Sequence, residues 1–68
     1  MREVVISDEM IRLGQLLQLA GIADSGSDAK ELLQGDEVEV NGEPEARRGR
    51  QLHKGDVVAV FGEEIRVA

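Results

Sequence analysis

No cysteine occurs anywhere in this chain, so its 68 residues have to be held together by packing alone. Disulfides and thiolate metal sites are excluded from the start. A chain of this length buries only about 60% of the surface that its unfolded form exposes. Nearly every apolar side chain must therefore join one core, and residues 1–68 are expected to form a single domain with no room for a second. Freedom from cysteine agrees with a reducing compartment. No basic-then-apolar segment opens the sequence, and no apolar run approaches the roughly 18 residues that span a bilayer. The expectation is a soluble, cytoplasmic protein with no membrane partner.

The pattern of residues places the elements. Residues 2–6, REVVI, read as an opening strand. Ser7 suits a helix N-cap, with Asp8 and Glu9 in the first turn. Leu13, Leu16, Leu17 and Ala20 then fall on one helical stripe. Gly14 within it weakens the helix or lets another element come close, and Gly21 ends it. Ser25 and Asp28 make a capping pair for a second helix with Ala29, Leu32 and Leu33 on its buried face, closed by Gly35. EVEV at 37–40 alternates as a half-exposed strand, and Asn41-Gly42 is a strong signal for a type I′ hairpin. Pro44 implies an edge strand or a very short pairing. A loop, the Gly55-Asp56 turn, the strand VVAVF, a turn at Gly62 and the strand EIRVA complete the chain. The fold expected is α+β, in the order β-α-α-β-β-loop-β-β. Two helices would cover one face of a small, mainly antiparallel sheet.

Charge is distributed unevenly. The chain carries net −6, yet RRGRQLHK at 47–54 holds four of its eight cations and no acid. Global acidity favours a soluble monomer and excludes polyanion binding through the whole surface. A polyanion could be held only at a patch. Phe61 is the sole aromatic and, ending an apolar strand, is expected in the core, which excludes a base-stacking platform.

The run from RLGQLLQLAG through DSGSDAKELLQGDEVEVNG to LHKGDVV resembles the RNA-binding domain named for ribosomal protein S-four, also called the αL motif. Arg12-Leu13, Ser25, Ala29, Val38-x-Val40-Asn41-Gly42 and Lys54-Gly55-Asp56 carry the likeness over about residues 11–58. The short, strand-first chain with its RRGR loop is most similar to stand-alone bacterial members. That resemblance implies binding to structured RNA without catalysis. Gly26 stands where typical members carry Arg, and Asp28 and Glu31 accompany Lys30 on the second helix. The basic loop would have to make up the deficit in phosphate contacts.

Each candidate has two readings. Arg47, Arg48, Arg50 and Lys54, with His53 beside them, either contact phosphate through forked hydrogen bonds or pair with Glu43, Glu45 and other acids. Three arginines flanking Gly49 favour phosphate. Ser25-Gly26-Ser27 offers backbone N–H groups to an anion, or is an ordinary capped helix start. Lys30 either reaches that anion or pairs with a nearby Glu. Arg12 either faces RNA or pairs with Asp8. Asn41 is turn chemistry first, with RNA contact secondary. His53 has no second ligand for a metal, and no nucleophile, acid-base pair or phosphate loop marks an enzyme.

The expected function is a nonenzymatic module recognising structured or double-stranded RNA, ribosomal or transfer-RNA-like, by shape and phosphate charge, with no cofactor. The competing expectation is an adaptor that docks a basic protein, for example on a ribonucleoprotein particle, through its acidic surface. A helix-turn-helix over 11–34 would present Asp28 and Glu31 to DNA, the wrong sign for a major groove. A ubiquitin-like sulfur carrier would end in Gly-Gly, and this sequence ends in Val-Ala.

Overall fold

Alternation along the strands decides which face of the sheet is inside. A computed structural model describes residues 1–68. Its elements are β1 (Arg2–Val4), β2 (Met10–Arg12), α1 (Leu13–Leu19), α2 (Gly26–Gln34), β3 (Val38–Val40), β4 (Glu43–Pro44), β5 (Gln51–His53), β6 (Val57–Val60) and β7 (Glu63–Val67). The main sheet runs β1-β7-β6-β3-β4, antiparallel throughout except for the parallel β1–β7 pair. Val40, Val58 and Ile65 lie side by side across three strands and are buried. Glu39, Ala59 and Glu64 form the next row, with both carboxylates exposed. One apolar cluster joins the inner row to Leu16 and Leu17 of α1 and to Ala29 and Leu33 of α2. Fully burying a leucine contributes about 1.5–3 kcal/mol, so this α+β arrangement is held by its two apolar stripes. No helix is long and apolar enough to cross a membrane.

Much of the expected punctuation is present. Leu13, Leu16, Leu17 and Ala20 are all buried. Asn41 and Gly42 take φ values of 52° and 84°, as a type I′ turn requires. Pro44 ends a two-residue strand at the edge of the sheet. Ser25 Oγ accepts the Asp28 N–H at 3.2 Å, the expected cap of α2.

Three expectations fail. Ser7 does not cap the first helix: the chain stays extended through β2, and α1 begins only at Leu13. The cause is the antiparallel pairing of Met10, Ile11 and Arg12 with His53, Leu52 and Gln51. That pairing also corrects the second expectation, because residues 51–53 of the supposed loop are a strand and the order gains two short elements. Third, Phe61 is not core. Val60 pairs with Glu63, which leaves Phe61-Gly62 as a two-residue turn. Phe61 takes φ 52° and is 67% exposed beside Asp36, Glu37 and Glu39.

Candidate nucleic-acid interface

Every helix begins with N–H groups that lack an intrahelical acceptor. In α1 the basic segment supplies the acceptors. Leu13 N–H donates to the Arg50 carbonyl at 2.8 Å, and Gly14 N–H to the Arg48 carbonyl at 2.9 Å. The segment is thus the cap of α1, and Leu52, fully buried on β5, anchors its far end in the core. Such contact needs a bare backbone at residue 14. A Cβ on Gly14 would fall 2.4 Å from Arg48 Cγ, closer than any real contact, so the close approach allowed by Gly14 is realised by Arg48.

The arginines then divide by their partners. Glu45, with a side chain only 8% exposed, accepts from Arg47 Nε at 3.2 Å and from Arg50 Nη1 at 2.7 Å. It also accepts the Ala46 and Arg47 N–H groups, each at 3.1 Å. The pairing reading therefore holds for these two arginines, although the Arg47 side chain stays 77% exposed. Arg48 and Arg12 have no carboxylate partner. Arg48 Nη1 makes one long contact, 3.4 Å to the Gly26 carbonyl. Arg12 Nη1 donates to the Gly49 carbonyl at 3.0 Å and makes no pair with Asp8.

These contacts gather two arginines around three glycines. Arg12, Gly14, Gln15, Gln18, Gly26, Arg48 and Gly49 line one polar cleft without an apolar member. Arg48 also borders a second groove with Ser27 and Lys30, and Gly49 a third with Arg47, Arg50 and His53. The three grooves adjoin through Arg48 and Gly49, the first two at the starts of α1 and α2 and the third along the basic segment. The head of Arg48 lies 3.7 Å from where a side chain at Gly26 would begin, the position at which the resemblance leads one to expect Arg. A loop arginine thus occupies the place of a helix arginine. In α2, Ser25 serves the Asp28 N–H, leaving those of Gly26 and Ser27 without an intrahelical acceptor.

Other candidates stand apart. Asn41 is committed to the fold: its amide donates to Asp56 Oδ1 at 3.1 Å, and its oxygen accepts the Val57 N–H at 2.9 Å. Lys54 is exposed in the turn after β5 and lines none of the three grooves. The hydroxyl of Ser25 is used as a cap. The sequence reading did not single out Gln15 and Gln18, although their i, i+3 spacing on the polar side of α1 places them together. No cluster of His, Cys, Asp and Glu is arranged to hold a metal ion.

Hydrogen bonding sets two carboxylates apart. Hydrogen bonds from Arg47 and then Arg50 lower the Glu45 pKa from 4.5 to about 2. For Asp56, burial opposes ionisation, but the His53 N–H, the Asn41 amide and the charges of His53 and Arg50 outweigh it and lower the pKa. Because the folded pKa of Glu45 lies below its unfolded value, its stabilisation is complete above the latter and is lost as pH falls through the former. The Ala46 and Arg47 amide resonances should therefore titrate with a midpoint near 2. Glu45→Gln should abolish that transition, and a midpoint near the ordinary 4.5 would contradict the geometry.

Comparison with known proteins follows the same lines. A family model described as "S4 domain" matches residues 4–68. A Bacillus subtilis (strain 168) protein named "Probable ribosome maturation protein RlbA" is 52% identical over 59 residues, covering 87% of this chain and 83% of that one. The crystal structure of the 30S ribosomal protein S4e from Thermoplasma acidophilum superposes with a TM-score of 0.66 at 22% identity. It covers 88% of this chain but only 32% of the larger protein, a likeness of fold.

Proposed function

The chain belongs to the S4-domain family, and on that footing we propose that it is a nonenzymatic module that binds structured RNA through the Arg12–Arg48 track. The observation that carries this reading is the convergence of two guanidiniums without a carboxylate partner on one cleft, which they line with Gly14, Gly26 and Gly49. The bare backbone at Gly14 lets the Arg48 stem lie flat on α1 and carry its head to Gly26, and guanidinium binds phosphate through two parallel hydrogen bonds. Arg47, Arg50, Lys30 and the N–H groups of Gly26 and Ser27 extend the contact. An acidic body with one positive track fixes orientation and suppresses indiscriminate binding. The naming of its relative points to ribosomal RNA as the first target to test, with the protein acting in the cytoplasm as a monomer without cofactor.

The test is binding to a panel of ribosomal and transfer RNA hairpins across a salt series. Arg12, Arg48, Arg47, Arg50 and Lys30 stand at this face against the single carboxylate of Glu45, so about four phosphates are neutralised. The slope of log affinity against log salt should be about −3 to −4, a loss of roughly a hundredfold between about 50 and 200 mM. An affinity indifferent to salt would overturn the proposal. A second reading, docking of a basic protein segment, has one observation in its favour: exposed Phe61 among Asp36, Glu37 and Glu39. It predicts contacts at that end instead.

A further inference from the structure

Two side chains of the cleft carry no charge, so they add nothing to the salt-dependent part of phosphate binding. Gln15 Oε1 accepts the Arg12 N–H at 3.0 Å, which leaves its NH2 group free. Gln18 Nε2 lies 3.8 Å from where a side chain at Gly26 would begin, with the Arg48 head on the same glycine at 3.7 Å. Its amide has no partner among the side-chain hydrogen bonds of the protein, and Gln18 is exposed. A free amide is both donor and acceptor.

The walls decide what the cleft can hold. None of its lining residues is apolar or aromatic, so a base entering it would meet no ring, and the two guanidiniums on which it could stack are the groups that hold phosphate. The sugar–phosphate backbone is what fits, with its phosphate on the guanidiniums. Only one group of that backbone both donates and accepts beside the phosphate: the ribose 2′-hydroxyl, which tells RNA from DNA at a given site. We infer that Gln18, assisted by the NH2 group of Gln15, hydrogen-bonds a ribose 2′-hydroxyl and makes the cleft selective for ribose over deoxyribose.

This inference rests on the RNA-binding reading, and the experiment separates the two. The probes are the tightest-binding hairpin of the RNA panel and its fully 2′-fluoro counterpart, which keeps the A-form shape but lacks the hydroxyl donor. The full chain should prefer the ribose form by about three- to tenfold, the range of one net hydrogen bond. Gln18→Ala should remove most of that preference while leaving the salt slope unchanged. Arg48→Ala should weaken both probes together and make the slope shallower by about 1. A Gln18→Ala variant, folded by circular dichroism, that keeps the parent's preference overturns the assignment and leaves RNA binding standing. Failure of the parent to bind either probe overturns both.

Discussion

Replacing Arg47, Arg48 and Arg50 together with alanine is expected to lower RNA affinity by at least a hundredfold at about 0.1 M salt. Each neutralised phosphate is worth close to tenfold there relative to about 1 M salt. The loss exceeds a count of cations because of Glu45. Its carboxylate, held at about pKa 2 by two of these arginines, would be left at the RNA face without either partner and would repel phosphate. The salt slope should collapse to about −1, the share of Arg12 and Lys30 less the freed carboxylate of Glu45. Arg48→Ala is the companion variant, since Arg48 takes no part in the Glu45 network. It should lose about tenfold on its own with the remaining loop intact. Equal affinity of the triple variant and the parent would exclude the basic segment from the interface.

Leu52→Ala should have the largest effect on stability. Leu52 is fully buried and is the apolar residue of the basic segment that enters the core. Truncating a buried leucine costs about 2–5 kcal/mol. A chain of this size has a total of roughly 3–10 kcal/mol, at 0.05–0.15 per residue. The variant should therefore lose a large part of its folding free energy in urea denaturation, and RNA binding should fall with it. Binding falls because β5 and the α1 cap form one structural unit: Leu52 sits opposite Ile11, and the carbonyls of Arg48 and Arg50 cap the helix. A change in stability below about 1 kcal/mol would mean that the segment is an independent loop.

Local chemistry made much of this legible. The Leu13-Leu16-Leu17-Ala20 stripe, the Ser25 cap, the Asn41-Gly42 turn and the short edge at Pro44 each depend on residues close in sequence. The failures came where strand pairing and its register decide. Ser7-Asp8-Glu9 has the composition of a helix start, but pairing of residues 10–12 with 51–53 keeps the chain extended past it. The alternation of Gln51, Leu52 and His53 was the available signal for that strand, masked by the surrounding charge. Phe61 followed four apolar residues and read as strand, but hairpin register put it in the turn. Within the interface, the arginine cluster was visible as a reversal of charge. Its division into a pair bound by Glu45 and a free Arg48 depends on side-chain geometry that spacing alone does not encode.

The central claim is that one continuous track, from Lys30 across Arg48 and Arg12 to Arg47, receives RNA. Titrating a ribosomal RNA hairpin into isotopically labelled protein and following its amide resonances tests that claim most directly. Gly14, Gly26, Gly49 and residues 47–50 should shift together, while Glu39, Phe61 and Gly62 stay in place. Shifts centred on Asp36, Glu37 and Phe61, with the three cleft glycines unmoved, would contradict it.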